Sequence, residues 1–233
     1  MIGASPSSDL FVLGRDAAAA ARTVCDGRGI FACWRRLHAT GIWQGPAGAV
    51  CAYVEEADLA PLGGLAAARA AGANTLMATS LPLLAEATRT GLRGLLRLDL
   101  PADEPALEQN RRLVALASQA REGLALDGVV PTPRENSQGL ATLLFVARCR
   151  LTLNGVPHVL VDLERLGPKL GQLCLGFGAD ELCGPIVTER PLRLGDQVGS
   201  PAITRQEAAQ LLRGAGLRAF ERVAGGALQE FEP

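Results

Sequence analysis

Between Asn154 and Glu189 the chain reads NGVPHVLVDLERLGPKLGQLCLGFGADELCGPIVTE, and this stretch constrains the fold more than any other. A short apolar strand, Val159 to Val161, leaves Pro157-His158 and ends at Asp162. A helix follows, with Gly167-Pro168-Lys169 in its first turns and Leu170, Leu173, Cys174 and Phe177 on one stripe. Gly178 to Gly184 reads as the loop into a second strand, Pro185 to Val187. Strand–helix–strand units of this kind build parallel sheets, which place their sites at strand ends.

The rest of the chain repeats the pattern. Asp9 to Asp26 is a helix by the spacing of Leu10, Leu13, Ala17, Ala20 and Val24, and Gly27 and Gly29 stop it. Strands are expected at Ile30–Trp34, Ala49–Val54, Asn74–Thr79, Gly94–Leu98 and Val129–Pro131, with a last one from Leu217 to Val223. Helices are expected from Asp58 to Gly72, Leu83 to Thr90, Asp103 to Glu122 and Gln138 to Leu153. Thr204-x-x-Glu207 has the form of a capping box. Residues 1–8 and 225–233 read as loose tails. Seven or eight strands in 233 residues fall short of the roughly 250 that an eight-stranded (β/α) barrel usually takes. The expected fold is therefore α/β, a single shortened or partly open TIM-type barrel, with an open five- or six-stranded sheet as the alternative.

A net charge of −1 gives no reason to expect nucleic acid or an anionic membrane as partner. The start, MIGASPSSDL, lacks the features of a signal peptide, and no apolar run approaches the ~18 residues of a membrane span, so a cytoplasmic protein is expected. The cysteines at 25, 33, 51, 149, 174 and 183 show no C-x-x-C spacing, which points to buried thiols rather than metal ligands.

The central stretch resembles the C-terminal part of a family. Leu151, Asn154, Pro157 and His158, then Gly167-Pro168-Lys169-Leu170, then Phe177-Gly178-Ala179 and Gly184, with Glu189 beyond, are similar to successive motifs of the radical SAM enzymes. The group includes aminofutalosine synthase, dehypoxanthine futalosine cyclase and FO synthase. Thr204 to Glu207, Gly216 and Arg222 continue the match, which covers roughly half the chain in order. The resemblance implies a barrel of the radical SAM kind and a place in futalosine-type menaquinone synthesis.

It also implies chemistry for which residues are missing. The family opens with three closely spaced cysteines that hold a four-iron cluster, without which S-adenosylmethionine is not cleaved. At that place stands Thr40-Gly-Ile-Trp-Gln-Gly-Pro-Ala-Gly-Ala-Val-Cys51, with one cysteine, and Trp43 where the first would be. Thr79-Ser80 replaces a glycine turn, and a G-G-G-A-E-type segment has no counterpart, which implies that part of the mid-barrel is absent. Cys183 and Pro185 replace the second aspartate and the threonine of D-L-D-G-T. The expectation is no cofactor, no metal and no radical chemistry.

Candidate ligand-binding residues come from the loops after strands: Thr79, Ser80, Asp99, Arg134, Asn136, Asp162, Asp180 and Glu181, with His158, Lys169 and Glu189 beside them. Each has an ordinary reading too. Arg134 can pair with a carboxylate or be a solvated loop residue, Asp162 can bind a hydroxyl or cap the next helix, and His158 can be an acid/base group or a structural donor. Lys169, the only lysine, can face an anion or Asp162. The leading functional expectation is a non-catalytic protein that partners or regulates an active menaquinone-pathway enzyme, or self-associates. The alternatives are a binder of a nucleoside or aromatic carboxylate, and a cluster-free enzyme using His158, Asp162 or Glu181.

Overall fold

The structure, a computed structural model, describes residues 9–44, 51–101, 104–121, 126–133, 139–188, 202–223 and 226–232. Helix α1 (Leu10–Val24) begins where the Asp9 carboxylate accepts the amides of Phe11 and Val12, and it buries Leu13, Gly14, Ala17 and Ala21. Strand β1 (Arg28–Leu37) follows; β2 (Trp43–Gln44) pairs antiparallel with its end. Then come β3 (Cys51–Glu55), α2 (Glu56–Leu62), α3 (Leu65–Ala70), β4 (Thr75–Ala78), α4 (Leu81–Arg89), β5 (Arg93–Leu100) and α5 (Ala106–Arg121). Next are β6 (Gly128–Pro133), α6 (Gly139–Thr152), β7 (His158–Asp162), α7 (Leu163–Leu175) and β8 (Glu181–Gly184). The chain ends with β9 (Ile186–Val187), β10 (Ile203–Thr204), α8 (Arg205–Gly214), β11 (Arg218–Arg222) and β12 (Leu228–Glu230).

Strands β1, β3, β4, β5, β6, β7 and β8 pair in parallel in that order, and β8 returns to β1 through Ile30↔Glu181 to Cys33↔Gly184. The barrel is therefore short by one strand of the eight-stranded form, and closed. The length of β1 permits this: its first half bonds β8 and β11, and its second half bonds β3. The mid-barrel expected to be missing is continuous from β3 to β7.

Alternation decides what fills the interior. Ala32, Trp34, Cys51, Tyr53, Met77, Leu95, Val130, Leu160 and Cys183 form the inner core. Their neighbours, including Phe31, Val54, Leu76, Leu96, Val129, Val161 and Leu182, belong to the outer core with the helices.

Four expectations are corrected. The region from Asp58 to Gly72 is two helices, because Gly63 and Gly64 both take positive φ. Glu181 to Gly184, read as a loop, is a barrel strand: its one inward apolar side chain and its carboxylate gave no apolar run, and pairing with both β7 and β1 holds it. The expected strand at Pro185–Val187 is the short β9, which pairs with β10 outside the barrel. The C-terminal segment, expected as a tail, carries β12, which pairs with β11, and Phe231 packs edge-on against Phe31 at 5.3 Å. Asp103, Asn136 and Ser137, read as helix caps, lie outside the described residues.

Gly128 marks the tightest approach in the barrel wall. A Cβ there would lie 2.4 Å from Leu160 Cδ1 and 3.2 Å from both the His158 carbonyl and Leu95 Cδ2. Gly128→Val is expected to destabilise the fold by about 1–3 kcal/mol through overpacking. Chemical denaturation checks this, and an unchanged midpoint would show that the wall has slack at β6.

Candidate functional site

At the C-terminal ends of the strands, the mouth of the barrel, the inward positions turn from apolar to charged. Glu55 closes β3 and is 9% exposed. Arg36 from β1 lies 3.0 Å from its carboxylate, Arg97 from β5 3.6 Å and Arg165 from α7 4.0 Å. Arg36 also donates through Nε and Nη2 to Asp58 Oδ2, at 3.2 and 2.9 Å, and Asp58 Oδ1 accepts the Ala39 amide. Burial works against the Arg36 cation, but Asp58 and Glu55 outweigh it and its pKa rises. Asp99 lies 3.7 Å from Arg97 Nε and Asp162 3.2 Å from Arg165 Nε. Burial pushes the Asp162 carboxyl up against the pull of Arg165.

Beneath this network Trp34 and Tyr53 pack with ring centroids 4.7 Å apart. Burial, then the Glu55 and Asp162 carboxylates, push the Tyr53 hydroxyl well up, so it remains a neutral donor. Trp34 Nε1 is buried and has no hydrogen-bond partner among the described residues.

The opposite end, the floor, holds a second charged set. Glu181 is fully buried and accepts from Arg93 Nη1 and Nη2 at 2.9 and 2.7 Å and from Arg222 Nη2 at 2.7 Å. Burial alone would raise its pKa, but the two guanidiniums outweigh that and hold it well below the usual carboxylate range. Beside it, Asp180 is also fully buried. It pairs with buried Arg150, accepts the Val159 amide at 2.8 Å and lies 2.6 Å from His158 Nδ1. Arg150 additionally donates to the carbonyls of Gly178 and Pro157. A carboxylate so fully engaged ties α6, β7 and the approach to β8 together, which is a structural task.

The candidate residues are thus divided. His158 stands at the start of β7, as its place before Val159 implies, whereas the placement of Asp180 and Glu181 in a loop after a strand is corrected: β8 begins, and does not end, at Glu181. Asp162 and Asp99 reach the mouth. Asp162 also caps α7 by accepting from Glu164 and Arg165 amides. Thr79 and Ser80 donate their amides to Glu56 Oε2, at 2.8 and 3.3 Å, and the Thr79 hydroxyl donates to the same oxygen. Lys169 is exposed on α7, beyond the break at Gly167 (φ 71°, ψ 164°), and Asp162 pairs with Arg165 instead. Arg134, Asn136 and Glu189 lie outside the described residues. Sequence reasoning missed Arg36, Glu55, Asp58, Arg97 and Arg165. Period-two alternation was the available signal, in Ala32-x-Trp34-x-Arg36 and Arg93-x-Leu95-x-Arg97-x-Asp99.

Whether a cysteine-held cluster fits can be judged from the thiols. All six are buried and unpaired, and they sit on six elements: the end of α1, β1, β3, α6, α7 and β8. Burial raises every one, Cys33 to about 11 and Cys149 and Cys174 to about 12. Cys51 lies inside the barrel 3.4 Å from the Thr75 hydroxyl, and Cys183 donates to the Val161 carbonyl. Cluster ligation needs converging thiolates. These residues do not fit it, and among the described residues no group of three or more His, Cys, Asp or Glu side chains is arranged to hold a metal ion.

Glu181 generates a test. Glu181→Gln strips two partly buried guanidiniums of their fully buried counter-charge, and a loss of about 3 kcal/mol at neutral pH is expected. The folded carboxyl titrates below its unfolded counterpart. Its contribution is therefore complete above the unfolded value of about 4.3 and fades as acid carries the pH toward the folded one. Urea denaturation should show the gap between wild type and variant narrowing below about pH 4; a gap independent of pH would remove the carboxylate from the account.

No protein-family profile matches the chain. Among curated proteins it is similar to aminodeoxyfutalosine synthase of Streptomyces coelicolor, 36% identical over 85 residues, which are 36% of this chain and 22% of that one. The same enzyme of Thermus thermophilus is 30% identical over 89 residues, 38% of this chain and 24% of the other. The matched segment thus spans less than a quarter of either relative. Among solved structures, methylornithine synthase (PylB) superposes with a TM-score of 0.62 at 12% identity, over 89% of this chain and 88% of that one. HydG, the [FeFe]-hydrogenase maturase of Carboxydothermus hydrogenoformans, gives 0.55 at 10% identity, over 90% and 72%. These two likenesses concern the fold. No helix among the described residues is long and apolar enough to cross a membrane. In sequence, then, the chain is related over little more than a third of its length to aminodeoxyfutalosine synthase, and in architecture it is a closed α/β barrel of the TIM type.

Proposed function

We propose that this protein acts without radical chemistry, as a partner or regulator of enzymes of the futalosine route to menaquinone. The observation that carries the proposal is the dispersal of the six buried cysteines over six elements, on a barrel related to enzymes that depend on three neighbouring ones. The mouth supports the same reading. Its arginines are engaged by Glu55, Asp58, Asp99 and Asp162, and an aromatic pair fills the space beneath them.

Two measurements test it. After anaerobic treatment with iron and sulfide, the protein is expected to bind no stoichiometric iron and to form no 5′-deoxyadenosine from S-adenosylmethionine. Mixed with the aminodeoxyfutalosine synthase of its own host, it is expected to co-elute or to alter turnover. A brown, cleavage-competent protein would end the first half of the proposal; absence of both association and effect would end the second.

Trp34 Nε1 favours one further reading, a small polar guest such as a nucleoside or aromatic carboxylate held at the mouth, since a buried orphan donor costs about 1–3 kcal/mol until something accepts from it. Such a guest would raise the melting temperature with the logarithm of its concentration once that exceeds the dissociation constant, and Trp34→Phe, which removes the donor together with the five-membered ring, would reduce that shift.

A further inference from the structure

The register of the wall leaves a notch in the barrel rim. Strand β4 stops at Ala78, whose partner on β5 is Leu96, whereas β5 runs on to Leu100. Above the end of β4, a groove of about 350 Å³ opens between β5, the start of α4 and one face of α5. Its apolar surface is wholly aliphatic: Leu81 from α4, Leu96 and Leu98 from β5, and Ala115 and Leu116 from α5. The volume lies at the lower end of the range of small-molecule pockets.

Two guanidiniums flank the groove. Arg97 reaches it from the barrel side. Its ion pairs are long, 3.6 Å to Glu55 and 3.7 Å to Asp99. Arg112 reaches it from α5 and donates through Nη2 to Glu104 at 2.8 Å and to the Asp99 carbonyl at 3.0 Å. Each has an Nε–H that is shielded from solvent and makes no hydrogen bond among the described residues; that of Arg97 faces Asp99 Oδ1 at 3.7 Å, too far for a hydrogen bond, and the Arg112 guanidinium lies over the Phe145 ring at 5.9 Å. A shielded cationic donor without an acceptor is costly, and a carboxylate is the acceptor that suits it best. Asp99 also lines the groove, and its half-exposed carboxylate would repel a second negative charge.

From this combination we propose that the rim groove is a binding site for an organic monocarboxylate with an aliphatic body, its head on Arg97 and Arg112 and its body against Leu81, Leu96, Leu98 and Leu116. The site lies outside the barrel interior and is independent of the partner reading, so either can fail alone.

Octanoate is the probe, with butyrate as the short control and octanamide as the uncharged one, followed by isothermal titration and thermal shift on the full chain. Octanoate is expected to bind saturably, and both controls to bind more weakly by about tenfold or more, the first for lost apolar burial and the second for lost charge pairing. Ala115→Trp fills the groove from an exposed helix position and should abolish binding while leaving the unliganded melting temperature unchanged. Arg112→Lys keeps a cation near Glu104 but removes the Nε donor, and should weaken octanoate while sparing octanamide. No saturable octanoate binding overturns the inference. So does equal binding of octanamide, or undiminished binding to Ala115→Trp, which would place the ligand elsewhere.

Discussion

The hydrogen bonds between β1 and β8 hold the architecture together. Seven parallel strands form an open sheet with two bare edges until Ile30 to Cys33 pair with Glu181 to Gly184, and closure removes both edges at once. The same closure creates an interior. Trp34, Tyr53, Met77 and Leu160 become a core only because the sheet curves back on itself. It also brings Arg93 on β5 to Glu181 on β8, residues 88 positions apart, with Arg222 of β11 on the same carboxylate. A buried carboxylate would be unfavourable alone; the fork of each arginine provides directed donors that repay its desolvation. The floor charge and the closing strand therefore depend on one another, since Glu181 is both a ladder residue and the ion that the ladder buries.

The interior is graded along the barrel axis: ion pairs at the floor, aromatic and aliphatic side chains in the middle, ion pairs again at the mouth. In a chain with a single lysine, every buried cation of this gradient is an arginine. The chemistry of the side chain matters here. A planar guanidinium can serve two carboxylates at once, as Arg36 serves Glu55 and Asp58, and remains charged when buried. The mouth is thus supplied with its own anions, and an external ligand there must compete with Glu55 and Asp58 for Arg36. The rim groove differs, because Arg97 is held only by long pairs and Arg112 retains a donor.

Much of the fold was legible in the sequence because it depends on local signals. Asp9, Asp162 and Thr204 each cap the helix that follows them, as their spacing indicates, and the strand–helix alternation from Val129 onward gives the parallel barrel. What escaped was non-local. Strand β8 has a carboxylate at its first position and a glycine at its last, and nothing in four residues announces that both edges will be paired. Asp180 and Glu181 then appear at the wrong end of the barrel, since a residue taken to follow a strand in fact precedes one. The mouth arginines were obscured for a related reason: Arg35 and Arg36 are adjacent in sequence and look alike. Only Arg36 shares the inward parity of Trp34 and reaches the carboxylates of Glu55 and Asp58.

Cys51 shows how a position picked out by sequence resemblance is used in this fold. The resemblance sets it beside the cluster cysteines of the radical SAM enzymes. In the fold it is the first residue of β3, paired with Trp34 and facing Thr75 within the barrel core. A thiol in that position gains from packing and loses from ionisation, since burial disfavours the thiolate more than Thr75 and Arg93 favour it. The same burial that makes it a good core residue makes it a poor ligand. Cluster ligation at this place would need further cysteines together with the release of this one from the wall. The barrel itself needs none of them, because its closure, its filled centre and its paired ends are supplied by strands and arginines that carry no iron.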